Sequence, residues 1–139
     1  MKRIFISFDF DHDRHYRYLL SALKENPRSD LDFDDVTPNE IQSSNIEYVK
    51  SRLRQHIAVA THTLVVIGDY ANSRHPDALA IGERNWQWWE IKESVAAGNK
   101  MVAVKIKREY ESPVPLLGVN ASWAYSFTVE SIIDAIDQS

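Results

Sequence analysis

Apolar residues follow two alternating rhythms along this chain. Short runs with nearly every position apolar mark strands buried on both faces. Stretches with apolar residues at i, i+3, i+4 and i+7 mark amphipathic helices. Arg3 to Phe8 predicts the first strand. The turn Asp9-Phe10-Asp11-His12-Asp13 follows, and the stripe Tyr16, Leu19, Leu20, Leu23 predicts a helix ending at Asn26-Pro27, with Asp11 or Asp13 placed to cap it. Leu31 to Val36 reads as a short second strand, and residues 34–45, with Thr37-Pro38 and Ser43-Ser44-Asn45, as a loop. Ser44-Asn45-Ile46-Glu47 has capping-box spacing ahead of a helix that repeats Ile46, Val49, Leu53, Ile57 and Ala60 on one face. His62 to Gly68, centred on Leu64-Val65-Val66-Ile67, is the clearest buried strand.

Asp69 to Asn85 reads as a loop of about seventeen residues, a length that in a compact domain usually signals function or mobility. A tryptophan-rich helix comes next and is closed by Gly98. Met101 to Ile106 predicts another buried strand, and Glu111 to Asn120, with Pro113 and Pro115, an irregular segment. Trp123 to Phe127 predicts the last strand, and Val129, Ile132, Ile133 and Ile136 mark the final helix. Strands alternating with helices predict a parallel sheet covered on both faces. Five strands in this alternation fit a flavodoxin-like α/β arrangement of order 2-1-3-4-5, one domain spanning residues 1–139. Ligands of such sheets bind beyond the carboxyl ends of the strands, at the switch point. The loops after the first two strands and the loop into Trp86 meet there. The expected binding residues are therefore Phe8, Asp9, Phe10, Asp11, Ser44 and Trp86, with Glu90 beside them.

The helix Asn85-Trp86-Gln87-Trp88-Trp89-Glu90-Ile91-Lys92-Glu93-Ser94 carries three of the four tryptophans. Residues four apart share a helical face, so Trp86, Glu90 and Ser94 fall together. Trp88, Ile91 and Val95 are expected opposite them, at core spacing. Packing tryptophans and a solvated Glu90 are the plain alternative for the same pattern.

Composition narrows the chemistry. With 44% apolar and 26% charged residues the chain is ordinary globular protein. A net charge of −4 with no basic run argues against a nucleic-acid partner. The lack of cysteine removes disulfides, thiolate catalysis and zinc-thiolate sites, and fits a cytoplasmic protein. The first apolar run is too short for a signal peptide, and no run approaches the ~18 residues of a membrane span. The five histidines show no metal-ligand spacing and the four glycines form no phosphate loop, so neither a metal nor a cofactor is expected. Asp9-x-Asp11 after a strand invites a dehalogenase-like phosphatase reading, but Asp13 stands where that pattern expects Thr or Val. A receiver-like phosphoacceptor using Asp69 is a further alternative.

Taken together these motifs resemble a family. The Arg3-Ile4-Phe5-Ile6-Ser7-Phe8 strand with its acidic turn, Val66-Ile67-Gly68, Ser73-Arg74, Trp86-Gln87-Trp88-Trp89-Glu90-Ile91 with Ser94 and Gly98-Asn99, and Pro115-Leu116 before Trp123 resemble the TIR-like domains of bacterial Thoeris antiviral defence, the ThsB type. The resemblance implies a TIR-like three-layer sandwich in which Glu90, the acid of a Trp-x-x-x-Glu motif, is catalytic. It also implies cleavage of the nicotinamide–ribose bond of NAD as substrate. Hydrolysis would yield ADP-ribose, and internal attack a cyclic ADP-ribose isomer, a diffusible nucleotide that activates a partner effector. Phe8 and Trp86 are expected to form an aromatic wall that limits water. The loop 37–45 occupies the position where TIR domains pack head-to-tail, which implies a homo-oligomer, and such enzymes can be silent until triggered. About ten residues, His75 to Asn85, are extra between Ser73-Arg74 and Trp86. The alternative from a different class is a non-enzymatic TIR-like module that recruits partners through the 37–45 or 69–85 loop.

Overall fold

The computed structural model describes residues 1–9, 17–28, 30–38, 41 and 44–139. Five strands form one parallel sheet in the order β2-β1-β3-β4-β5. They are β1 (Lys2–Ser7), β2 (Leu31–Asp34), β3 (His62–Ile67), β4 (Lys100–Lys105) and β5 (Ser122–Trp123). This is the flavodoxin-like order expected from the alternation of elements. The order reverses at β1 and β3, whose last paired residues are Ser7 and Val65.

Alternation along the strands sorts side chains to the two faces. Ile4, Ile6, Leu64, Val66, Val102 and Val104 point to one face and pack with Leu20 and Leu23 of α1 (Arg17–Lys24) and with Ile132 and Ile136 of α5 (Val129–Gln138). On the other face Phe5 meets Val49, Leu53 and Ile57 of α2 (Ile46–Val59), while Val65, Ile67 and Ala103 meet Ile91 of α4 (Trp86–Ala96). The result is three layers, helix–sheet–helix. No helix among the described residues is long and apolar enough to cross a membrane.

Several boundaries differ from the sequence expectation. Strand β2 stops at Asp34 rather than Val36, because the Asp34 carboxylate turns back to accept from the Val36 amide at 3.2 Å. Strand β5 is Ser122–Trp123, so of the expected 123–127 strand only Trp123 lies in it, and Tyr125 is 96% exposed. The cap of α2 is Asn45, whose side chain accepts from Tyr48 N at 3.1 Å, whereas Ser44 is exposed. The proposed caps Asp11 and Asp13 lie outside the described residues.

The segment 69–85 is more ordered than a long loop suggests. It contains the short helix α3 (Ala78–Ile81), and Ala71, Ala78 and Ile81 are buried. Ile81 joins the Phe5–Leu53–Trp89 cluster. Helix α3 ends on Gly82 at φ +83°, a left-handed value suited to glycine. Lys92–Glu83 at 2.7 Å and Lys50 Nζ to Ala80 O at 3.4 Å tie the segment to its neighbours.

Leu53 is fully buried between α2 and the sheet. Leu53→Ala should therefore cost about 2–5 kcal/mol, the transfer and cavity terms for a buried leucine, read as a lower urea midpoint.

Candidate active site

Helix α4 starts at a well-made cap. Asn85 is extended and its Oδ1 accepts from Trp88 N at 2.9 Å. Its Nδ2 donates to Ala71 O at 3.0 Å and Ser73 O at 2.9 Å, which fixes the helix start to the loop. Gln87, Glu90, Ile91 and Ser94 then form the inward stripe at i, i+3, i+4 and i+7. Three of these four are polar, and each finds a partner on the sheet. Gln87 Nε2 donates to Ser7 O at 3.1 Å and to Val66 O at 2.9 Å, bridging the carboxyl ends of β1 and β3. Ser7 Oγ donates to Glu90 Oε1 at 2.7 Å. Thr63 Oγ1 donates to Ser94 Oγ at 2.8 Å. Gln87 Oε1 is buried and, among the described residues, unpartnered.

Glu90 thus sits at the switch point of the sheet, 2% exposed. No Lys, Arg or His among the described residues pairs with it. Burial removes the water that would solvate its charge and pushes the carboxyl up to about 8, and the Ser7 hydrogen bond opposes this in part. At neutral pH the group is mostly protonated. A perturbed carboxyl with no cationic partner among the described residues, at the carboxyl end of a parallel strand, is a candidate reacting group. Among the described residues no set of three His, Asp or Glu converges to hold a metal ion.

The other expected site residues are placed differently. Phe8 packs with Ile4 and Ile6 on the face away from α4, because it follows Ser7 directly and successive residues point to opposite sides. Trp86 lies on the α4 side, so the two rings do not form one aromatic wall. Trp86 is half-buried, beside Trp89 in an edge-to-face pair at 5.7 Å and 84°. Trp89, whose role the sequence leaves open, is the buried indole, packed against α2 with the Arg54 guanidinium 5.4 Å from its ring. Trp88 is half-buried rather than core, with its Nε1 donating to Ala71 O and Asn72 Oδ1 at 3.1 Å each, and Val95 is 42% exposed. Of the expected core trio Trp88, Ile91 and Val95, only Ile91 is buried.

Asp9 is half-buried just past β1, and Ser44 is exposed ahead of α2. Phe10 and Asp11 lie outside the described residues. Two residues that touch or flank the carboxyl, Ser7 and Gln87, are not among the expected site residues. Ser7 is the single hydroxyl in the apolar run Ile4 to Phe8, and Gln87 stands three residues before Glu90; both signals were visible. His62, at the start of β3, is buried, and its Nδ1 meets Thr61 Oγ1 at 2.7 Å.

Comparison with known proteins bears on the family and the fold. The sequence matches the family model of the TIR-like domain of Thoeris protein ThsB over residues 5–111. No curated protein matches it. In structure it is similar to a prokaryotic SEFIR domain, with TM-score 0.56 and 15% identity over 99% of this chain and 95% of that one. It is also similar to a CMP N-glycosidase of Clostridium botulinum, with TM-score 0.59 and 15% identity over 99% and 98%. A 2-deoxyribosyltransferase of Bacillus psychrosaccharolyticus aligns with TM-score 0.51 and 17% identity over 79% and 77%. At these identities the structural likenesses show a shared fold.

The buried carboxyl sets a pH dependence of stability. The folded chain keeps a proton on Glu90 that the unfolded chain gives up above about 4.5. The stability this brings is full below pH 4.5, declines as pH rises, and is gone above about 8. The whole span is on the order of 5 kcal/mol. Glu90→Gln keeps the shape and an acceptor for Ser7 but does not titrate. Melting curves from pH 5 to 9 should show wild type and variant close together at the acid end and the variant more stable at the alkaline end. A constant offset would mean that Glu90 is ionised throughout.

Proposed function

The chain belongs to the TIR-like domain family of Thoeris protein ThsB, and from that membership and the buried carboxyl we propose that it cleaves the nicotinamide–ribose bond of NAD. The observation that carries this reading is Glu90, buried, paired with no cation among the described residues, and held by Ser7 at the carboxyl end of β1. A fold neighbour named as an N-glycosidase supports it, since that name describes cleavage of a base–sugar bond.

In the proposed reaction the C1′–N bond breaks and its electron pair goes to the pyridinium nitrogen, releasing neutral nicotinamide. The ribose C1′ is left as an oxocarbenium-like centre. The incoming pyridinium cation favours loss of the Glu90 proton. The resulting carboxylate, accepting from Ser7, stabilises positive charge as it moves onto the sugar, an effect strengthened by the low dielectric of a buried site. Water adds to C1′ and loses a proton to give ADP-ribose. Attack by a nucleophilic atom of the same molecule gives a cyclic ADP-ribose isomer, the diffusible signal to a partner effector in antiviral defence. Ser7 is a positioning residue, and Glu90 is the catalytic one.

The same burial favours a second reading, in which Glu90 fastens α4 to the sheet of a non-enzymatic interaction module. The two part on activity. Purified protein, and protein from phage-challenged cells, incubated with NAD should release nicotinamide, and Glu90→Gln should reduce the rate by at least about a hundredfold. Equal product from both proteins, or none from either source, would exclude the enzyme reading. For wild type, kcat/KM should rise about tenfold per pH unit and level near 8, where Glu90 is ionised in the free enzyme. Ser7→Ala should move that profile to higher pH, since the lost hydrogen bond favours the ionised form.

A further inference from the structure

The carboxyl ends of β4 and β5 frame a second feature, an open cleft of about 400 Å³ lined by Lys105, Arg108, Ser112, Trp123, Ala124 and Tyr125. Lys105 ends β4 and Trp123 ends β5. Trp123 pairs with Ala103 in register, and Ala103 and Lys105 share a strand face, so both side chains point to the α4 side of the sheet.

Three properties set this cleft apart. The chain is acidic, with 20 acids against 16 bases, yet the lining holds two cations and no carboxylate. Neither Lys105 nor Arg108 forms an ion pair among the described residues. Trp123 is 43% exposed and Tyr125 almost fully so, leaving two aromatic faces open beside the two cations. Unpaired guanidinium and ammonium groups suit a phosphate, the guanidinium by a forked pair of hydrogen bonds. Exposed aromatic rings suit a flat base, which stacks on them. The volume lies within the usual range for small-molecule sites.

We propose that this cleft binds a nucleoside phosphate, with Lys105 and Arg108 on the phosphate and the base stacked on Trp123 and Tyr125. The site is distinct from Glu90. Glu90 faces the end of β1, and β3 and β4 intervene before β5, a separation of roughly 10–14 Å at ordinary strand spacing. The proposal does not depend on the chemistry assigned to Glu90, because it concerns binding alone.

Calorimetric titration of the whole protein with AMP, adenosine and ribose 5-phosphate tests it. AMP should bind, and each fragment should bind at least about tenfold more weakly. Lys105→Gln with Arg108→Gln should weaken AMP at least about tenfold and leave adenosine unchanged. Tyr125→Ala should weaken AMP and adenosine and leave ribose 5-phosphate unchanged. These side chains are exposed or half-buried, so the variants retain the fold, checked by unchanged melting curves. Glu90→Gln should not alter AMP binding. The proposal is overturned if AMP does not bind, if the double variant binds it as wild type does, if ribose 5-phosphate matches AMP, or if Glu90→Gln abolishes binding. None of these readouts measures NAD cleavage, so the two assignments fail separately.

Discussion

Ser7 Oγ donates to a carboxyl that water barely reaches, and the seating of α4 on the sheet follows from this bond and its two neighbours. An apolar stripe can slide along a sheet at modest cost, because dispersion contacts are non-directional. A polar stripe cannot. Each hydrogen bond contributes about 0.5–1.5 kcal/mol when made, and its loss leaves a buried group costing about 1–3 kcal/mol. Gln87 reads the backbone ends of β1 and β3, Glu90 reads Ser7, and Ser94 reads Thr63. Three registrations along one helix face leave a single position for the helix, and Ile91 packs into it.

That arrangement puts stability and chemistry in opposition. Withholding water from Glu90 penalises its charged form, so the fold is most comfortable with a proton there. The proposed reaction needs the charge. A substrate bringing its own positive charge offsets that penalty in the complex. Strained or costly groups retained at such positions are a common sign of function rather than of poor packing.

The segment between β3 and α4 mechanically joins the two ends of this face. Asn72 Oδ1 accepts from Trp88 Nε1 at 3.1 Å and from Val114 N at 3.3 Å, and its Nδ2 donates to Ser112 O at 3.0 Å. Arg84 Nε donates to Asn72 O, and Asn85 caps α4 while holding Ala71 and Ser73. The start of the carboxyl-bearing helix and the rim of the Lys105–Trp123 cleft are thereby referenced to one asparagine. Residues 75–85 include the short helix α3, whose Ile81 packs with Phe5, Leu53 and Trp89.

Much of this was legible in one dimension. Periodicity depends on local geometry, so the five strands, the major helices and the sheet order followed from residue spacing, whereas the inward face of α4 did not: spacing set Trp88, Ile91 and Val95 in the core with Glu90 opposite, and the buried stripe is Gln87, Glu90, Ile91 and Ser94. The family resemblance likewise rested on short motifs in order and is matched over residues 5–111. The local ends of elements were less legible, because they depend on individual contacts: the Asp34 carboxylate folds onto the Val36 amide, and β5 keeps only Ser122 and Trp123 before the chain leaves the sheet edge at the exposed Tyr125. What only the tertiary structure decided was partnership. Whether Phe8 or Ser7 faces α4 depends on strand parity relative to a helix 80 residues away, a relation between Ser7 and Gln87 that sequence spacing does not encode. Which of three tryptophans is buried depends likewise on where α2 lies. The charge state of Glu90 depends on the water excluded by all of them, a property of the packed ensemble of side chains rather than of any one residue.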